Sequence, residues 1–407
     1  MAAKESYVIV GANLAGGSAA EALRREGFDG LIHLIGREPD RPYDRPPLSK
    51  EYLRGEKERE KLFFKPPEFY DEQEIDLRLG TGATGLDPVE QTVELDTGET
   101  LRYDKLLLAT GGRIRKLNVP GTDLEEVYYL RTIGNSQRLA ESINRSRKAV
   151  VVGAGFIGSE VAASCRMKGL DVTLLEIEPV PLRHVLGDEL GEIYADIHRG
   201  HGVDLHLSEG ITEIQGHRRA ERVITSSGAS IDCDLVLIGV GVAPQTRLVD
   251  GTGIEVDNGI VVDEYCRTSL PHIFAAGDVA NWWHPGLGQR LRVEHWDNAL
   301  NQGAAAARSM LGRQEPYAPL LYFWSDQYDL NIQYLGHAVK WDHIIYRGDP
   351  QEQKFTAFFM DGGLVLAALV VNRFRDLRPT RTLIGQKVRV DEKQLADEST
   401  DLKQMVR

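Results

Sequence analysis

The chain has 407 residues, 41 of them glycine, with 42% hydrophobic residues and a net charge of −13. This length leaves room for two or three domains with cores of their own, and the acidic balance argues against nucleic acid, since phosphate binding needs a basic field. Its three cysteines, Cys165, Cys233 and Cys266, lie far apart with no C-x-x-C spacing, so no disulfide framework is expected and the thiols read as reduced and mostly buried.

Apolar periodicity begins at Tyr7, with no basic leader or signal-peptide core before it, and the Leu364 to Val371 run is too short to cross a bilayer. A cytoplasmic protein that avoids membranes is the expectation. Tyr7 to Ala20, YVIVGANLAGGSAA, reads as strand, tight turn and helix, an arrangement whose exposed N–H groups and helix dipole hold a pyrophosphate. Leu31 to Ile35 fits a second parallel strand, and Glu38 follows the turn by roughly the 20 residues at which such folds place a ribose-binding carboxylate. The turn reads Gly11-x-Asn13-x-x-Gly16, with asparagine in the usual place of the second glycine. Tolerance of left-handed backbone is the property expected to let Asn13 serve there.

RPYDRPPLSK, residues 41 to 50, is stiffened by three prolines that fix the directions of Arg45 and Lys50. Residues 56 to 75 read as a helical excursion. Strand-like runs at Thr92 to Leu95 and Lys105 to Ala109 lead into Ala109-Thr110-Gly111-Gly112, where the backbone must pass close to something.

The pattern then restarts. Lys148 to Val152 is a strand, Gly153-Ala154-Gly155-Phe156-Ile157-Gly158 a full G-x-G-x-x-G, Ser159 to Lys168 a helix, and Val172 to Leu175 a strand closing at Glu176. All parts of a dinucleotide site fall in order. The Glu176 carboxylate can accept from both ribose hydroxyls, whereas a 2′-phosphate meets like charge: about 4 kcal/mol per unit pair at ~4 Å and an effective dielectric near ~20, before exposure weakens it. NADH should therefore be strongly preferred to NADPH in a kinetic comparison; a reversed preference would mean that Glu176 does not face the ribose.

His198, His201 and His206 straddle a glycine-broken helix end and read as solvated surface, and no metal site is expected. Leu235 to Val240 is a further strand, followed by Gly241. Ile273 to Asp278 ends a strand in an acid, the position from which a carboxylate reaches the ligand crevice of an open α/β sheet. Asp297 to Leu311 is a helix stopped by Gly312. From Tyr317 onward, runs at Leu320 to Trp324, Leu330 to Tyr334, His343 to Tyr346, Lys354 to Phe359 and Leu364 to Val371 read as an antiparallel sheet. A basic stretch follows in which Pro379 suits a first helical turn, and the acidic tail after Val390 reads as a terminal helix or frayed end.

With both turns, RPYDRPPLSK, ATGG, GSE at 158 to 160, FAAGDV and FWSDQYD in order, the chain resembles the NADH-dependent ferredoxin reductases, the FAD components serving Rieske-type dioxygenases and bacterial cytochromes P450. The resemblance implies an α/β chain with two Rossmann-like, glutathione-reductase-type domains and a C-terminal α+β antiparallel-sheet domain. An FAD domain would take 1–113 and 241–318, an NADH domain 114–240, and a C-terminal domain 319–407 that covers the flavin and contributes to ferredoxin docking. It further implies FAD contacts from Gly11, Asn13, Leu14, Ala15, Gly16, Arg37, Glu38 and Arg45, from Ala109, Thr110 and Gly111, and from Gly277, Asp278, Glu294, His295, Trp296 and Trp324. NADH would lie on Gly153, Gly155, Phe156, Ile157, Gly158, Glu176 and Gly241. Lys50 would stand beside the reactive N5 edge of FAD, paired with a Glu160 that shifts as nicotinamide arrives.

Hydride would pass from NADH to FAD, and electrons would leave singly to a [2Fe–2S] ferredoxin, because the cysteines that disulfide reductases keep beside the flavin are missing from the first 164 residues. No Cys–His pairs with Rieske-type spacing occur, so the iron–sulfur centre belongs to another protein. Arg373, Arg375, Arg378, Arg381 and Lys387 form the densest basic run for docking an acidic ferredoxin. A rubredoxin reductase, an NADH oxidase and a redox-gated interaction protein resembling apoptosis-inducing factor are the alternatives. The oligomeric state, a monomer included, stays open.

Overall fold

The computed structural model describes residues 4–406 and divides into two compact units. The first takes the chain up to Arg45, Arg59–Arg113 and Val242–Pro319. Its centre is a parallel sheet in the order Ile273–Ala275, Lys105–Leu108, Ser6–Val10, Leu31–Gly36, Ile75–Leu79. Tyr7, Val8, Ile9 and Val10 are all buried, as a strand covered on both faces requires. The helix Leu14–Arg25 follows the first strand and packs along the helix Trp296–Met310. Small residues permit this: a Cβ on Gly303 would stand 2.2 Å from the Ala15 carbonyl oxygen, and Ser18 Oγ donates to the Leu300 carbonyl at 2.7 Å. Tyr7, Leu23, Leu34, Leu107, Phe274 and Met310 close the core beneath.

The second unit comprises Pro46–Glu58, Ile114–Gly241 and the chain from Leu320 onward. Its parallel sheet runs Asp204–Leu207, Asp171–Glu176, Lys148–Val152, Leu235–Ile238, Val127–Tyr128. A second, antiparallel sheet runs Tyr322–Gln327, Leu330–Gly336, Leu364–Val371, Lys354–Asp361, His343–Asp349. Leu186, Leu190, Tyr194 and Ile197, on the helix Arg183–Gly200, share one apolar cluster with Phe323, Tyr334, Phe355 and Phe359 of that sheet. The segment Pro46–Glu58 belongs to this unit, not to the unit of the chain on either side of it.

Several local expectations are corrected. Residues 56 to 75 form no continuous helix: a 3-10 turn at Arg59–Leu62 and a short helix at Glu68–Glu72 flank Pro66 and Pro67, and Tyr43 and Phe63 form an isolated bridge. Pro379 lies inside the helix Phe374–Gln386, not in its first turn. His198 is fully buried and donates or accepts at Nδ1 with the Tyr328 hydroxyl, 2.9 Å away. Burial, reinforced by the charge of His201, lowers its pKa to about 4, so it is a neutral core residue and not part of a solvated surface. Of the two readings of the acidic tail, terminal helix or frayed end, the first holds: the tail forms the short helix Glu392–Ala396, and buried Arg347 donates to the carbonyls of Asp397 at 2.6 Å and Thr400 at 2.8 Å.

Candidate active site

In the first unit, the strand Ser6–Val10 ends at Gly11, whose φ of +123° suits glycine. A Cβ there would lie 2.0 Å from the Ala109 carbonyl oxygen, and one on Gly16 would lie 2.0 Å from the Gly11 carbonyl oxygen. The first helical turn is thereby drawn against the strand end, and its early N–H groups, at Leu14, Ala15 and Gly16, have no intrahelical acceptor. Asn13 caps this helix with φ −107° and ψ −167°, an extended conformation open to any residue. The left-handed tolerance expected to admit it is therefore not what the position uses.

The Asn13 side chain instead accepts from Arg45 Nη2, which also donates to Glu38 Oε1 at 2.5 Å. Tyr43 completes the group, its hydroxyl donating to Glu38 Oε2 at 2.6 Å and accepting from Arg45 Nη1 at 2.8 Å. Asp278, half-buried after the strand Ile273–Ala275, acts electrostatically on the same arginine. Gly111 and Gly277 both take positive φ, +68° and +78°. Thr110 Oγ1 donates to the Gln245 carbonyl at 2.7 Å. Arg37 is exposed, beside Gly82. Arg292 pairs with Glu294, His295 caps the helix Trp296–Met310, and Trp296 Nε1 donates to Asp44 Oδ1 at 2.7 Å.

In the second unit the geometry of the turn repeats. Gly153 has φ +100°, and a Cβ on Gly158 would lie 1.9 Å from the Gly153 carbonyl oxygen. Gly155, which caps the helix Phe156–Met167, is open, with nothing within 4 Å of its missing Cβ. Ile157 is exposed beside it, while Phe156 meets Phe323 edge-on at 4.7 Å. Glu176 ends its strand with Oε2 accepting from Ala154 N at 2.6 Å and Oε1 from Glu178 N at 3.0 Å, which fixes the carboxylate beside the turn. Gly241 has φ +90°, and its carbonyl accepts from Arg115 N at 3.0 Å.

The same unit holds a buried ion pair. Lys50 Nζ lies 3.2 Å from Glu160 Oε1, with side-chain exposures of 4% and 5%. Glu160 also accepts from Ser49 Oγ and, at 2.7 Å, from Ser325 Oγ. Trp324 places its ring centroid 6.0 Å from the ammonium. Gln327 Nε2 donates to Ser325 Oγ at 3.0 Å and also contacts the Tyr194 hydroxyl. Sequence reasoning missed Ser49, Ser325 and Tyr43. The alternation of FWSDQ, which turns Ser325 and Gln327 inward together, is the signal that could have found Ser325.

Both turns fit a dinucleotide. Backbone approaches closely at Gly11, Gly16, Gly153 and Gly158, a helix starts at each turn, and a carboxylate stands at the end of the second strand or just past it, Glu176 closing Asp171–Glu176 and Glu38 two residues beyond Leu31–Gly36. Comparison with known proteins agrees. The model for pyridine nucleotide-disulphide oxidoreductases matches residues 5–303, and that for the reductase C-terminal region matches 322–406. The chain belongs to the pyridine nucleotide-disulphide oxidoreductase family. As in that family, it takes FAD and NAD(H). It is 40% identical over 399 residues to rhodocoxin reductase of Rhodococcus erythropolis, covering 98% of this chain and 93% of that protein. It is 39% identical to the ferredoxin–NAD(+) reductase component of the anthranilate 1,2-dioxygenase system of Burkholderia cepacia, covering 98% of both. The crystal structure of a covalent putidaredoxin reductase–putidaredoxin complex superposes with a TM-score of 0.96 at 34% identity, covering 99% of this chain and 98% of that one. The family is named for a disulphide, yet Cys165, Cys233 and Cys266 are all buried here, and burial pushes the thiols of Cys165 and Cys233 up to about 12.

Proposed function

We propose that this chain is an FAD-dependent NADH:ferredoxin oxidoreductase that feeds electrons to an oxygenase. The observation that carries the reading is the pairing of two dinucleotide turns with cysteines that are few, dispersed and buried, so electrons have no thiol to pass through. Bound FAD supplies the chemistry of taking a hydride from NADH and releasing electrons one at a time. The protein's part is to bind and orient: the Gly11–Gly16 turn, Glu38, Arg45 and Asp278 hold FAD, and the Gly153–Gly158 turn and Glu176 hold NADH. Lys50 and Glu160 form a buried ion pair whose part in flavin reduction is tested by Lys50→Ala. The relatives' names support a ferredoxin as acceptor, and the putidaredoxin complex gives the kind of partner. No described helix is long and apolar enough to cross a membrane, and we place the chain in the cytoplasm.

The docking face is proposed on the helix Phe374–Gln386. Arg375, Arg378 and Arg381 are exposed, with the solvent-facing Phe374 at 61% among them. Arg373 is a poorer candidate, being paired with Asp376 at 2.7 Å and Glu398 at 2.5 Å. Ferredoxin-dependent turnover is expected to fall as salt rises, and Arg-to-Glu changes at 375, 378 and 381 should raise the KM for ferredoxin. A flat salt response with normal activity in those variants would move the docking face elsewhere.

The test of the function itself is NADH-dependent cytochrome c reduction with and without added [2Fe–2S] ferredoxins. Strong stimulation by one of them is expected, with NADPH nearly inert. No stimulation by any, with a persistently reduced flavin spectrum, would overturn the reading.

A further inference from the structure

Gln302 lies on the helix Trp296–Met310, fully buried. Its Oε1 accepts the backbone N–H of Gly277 at 2.8 Å, and Asn298 Nδ2 approaches the same oxygen at 3.4 Å. Because both neighbours are donors, the amide has one possible orientation, and Nε2 must point the other way. That Nε2 is buried with no hydrogen-bond partner among the described residues. Asn298 does not relieve it, since its own oxygen accepts from the Tyr317 hydroxyl at 3.1 Å and its nitrogen reaches the Val293 carbonyl at 3.2 Å.

A buried amide donor without an acceptor is costly, and native folds leave few. This one sits directly behind the turn that presents Asp278. A Cβ on Gly277 would lie 3.0 Å from the Ala15 Cβ, so the Gln302 amide, the Gly277 turn and the start of the first helix converge on one spot. These are the elements around which the FAD cradle of this unit is built.

We propose that Gln302 is a positioning residue for FAD. Its carbonyl holds the Gly277 N–H and so sets the direction of Asp278, while its Nε2–H group donates to an oxygen that arrives with the cofactor, in the ribityl or pyrophosphate portion. The chemical class of acceptor is thus a hydroxyl or phosphate oxygen of the bound dinucleotide, and the apoprotein carries the donor unpaired. The inference rests on FAD binding by this unit and not on the identity of the electron acceptor.

The experiment uses full-length protein stripped of flavin and titrated with FAD by fluorescence quenching, for wild type, Gln302→Leu and Gln302→Glu. At pH 8.5 the glutamate keeps an acceptor for Gly277 but removes the amide donor. Both variants are expected to raise the FAD Kd by about tenfold or more, the scale of one unmade buried hydrogen bond. The melting temperature of each apoprotein is read beside the titration, because a buried carboxylate is expected to lower it; a loss of FAD affinity that persists well below each variant's melting transition supports the donor, and one that disappears there overturns it. If Gln302→Glu binds FAD as wild type does while Gln302→Leu does not, Gln302 serves the turn alone and the donor is overturned. If both bind normally, the whole proposal falls.

Discussion

Lys50→Ala is expected to destabilise the protein by about 3–5 kcal/mol, the usual scale for stripping one partner from a buried ion pair. Glu160 is 5% exposed, and without the ammonium its carboxylate keeps, among the described residues, the hydroxyls of Ser49 and Ser325. Denaturant unfolding of the holoprotein measures the loss. The double variant Lys50→Met, Glu160→Gln should recover most of it, because neutralising both members removes the uncompensated charge. In stopped-flow mixing with NADH, Lys50→Ala should also slow flavin reduction more than it weakens NADH binding. Full-speed reduction in a destabilised variant would separate the two roles, leaving Lys50 a structural cation with no part in the chemistry.

Gly16→Ala is expected to produce protein that does not hold flavin. The new methyl would fall 2.0 Å from the Gly11 carbonyl oxygen and 3.1 Å from Ile9 Cγ2, and a backbone oxygen at a strand end cannot yield as a flexible side chain does. Overpacking ordinarily costs about 1–3 kcal/mol, and a clash with backbone belongs at or above the top of that range. Visible absorbance per mole of purified chain gives the readout. Gly155→Ala is the contrast: with open space around its missing Cβ and a φ of −74°, it should retain flavin and fold, and raise the KM for NADH where a phosphate needs close approach. Flavin retained in Gly16→Ala would show that the strand end moves more freely than its packing indicates.

These contrasts mark what could be read from residues alone. A phosphate-holding turn needs glycines a few positions apart, so both turns and the acids at Glu38 and Glu176 stand in local sequence. The buried ion pair needed the family resemblance, and its supporting hydroxyls were invisible: Ser49 is 111 positions from Glu160, and Ser325 is 165 positions from it. Gln302 was hidden for the same reason, since only the folded chain brings Gly277 to it. Elsewhere, composition misled. Charge alternating with aromatics suggested one helix in residues 56 to 75, but two adjacent prolines allow only short turns. His198 looked solvated beside His201 and His206, yet the apolar face of its helix carries it inward against Tyr194 and Tyr328. For Asn13 the conformational reason was wrong, since its backbone is extended.

The helix Arg183–Gly200 bears on how such an enzyme could be rebuilt. It bends at Gly187, where any side chain would meet Trp341 at 2.6 Å, and it buries Leu186, Leu190 and Tyr194 among the aromatics of the antiparallel sheet. The segment that carries this helix and the proposed NADH turn therefore lacks a finished outer surface of its own. Grafting that segment from a relative would transplant half a core, and a chimera that changes coenzyme preference must carry the sheet with the helix or redesign both faces together.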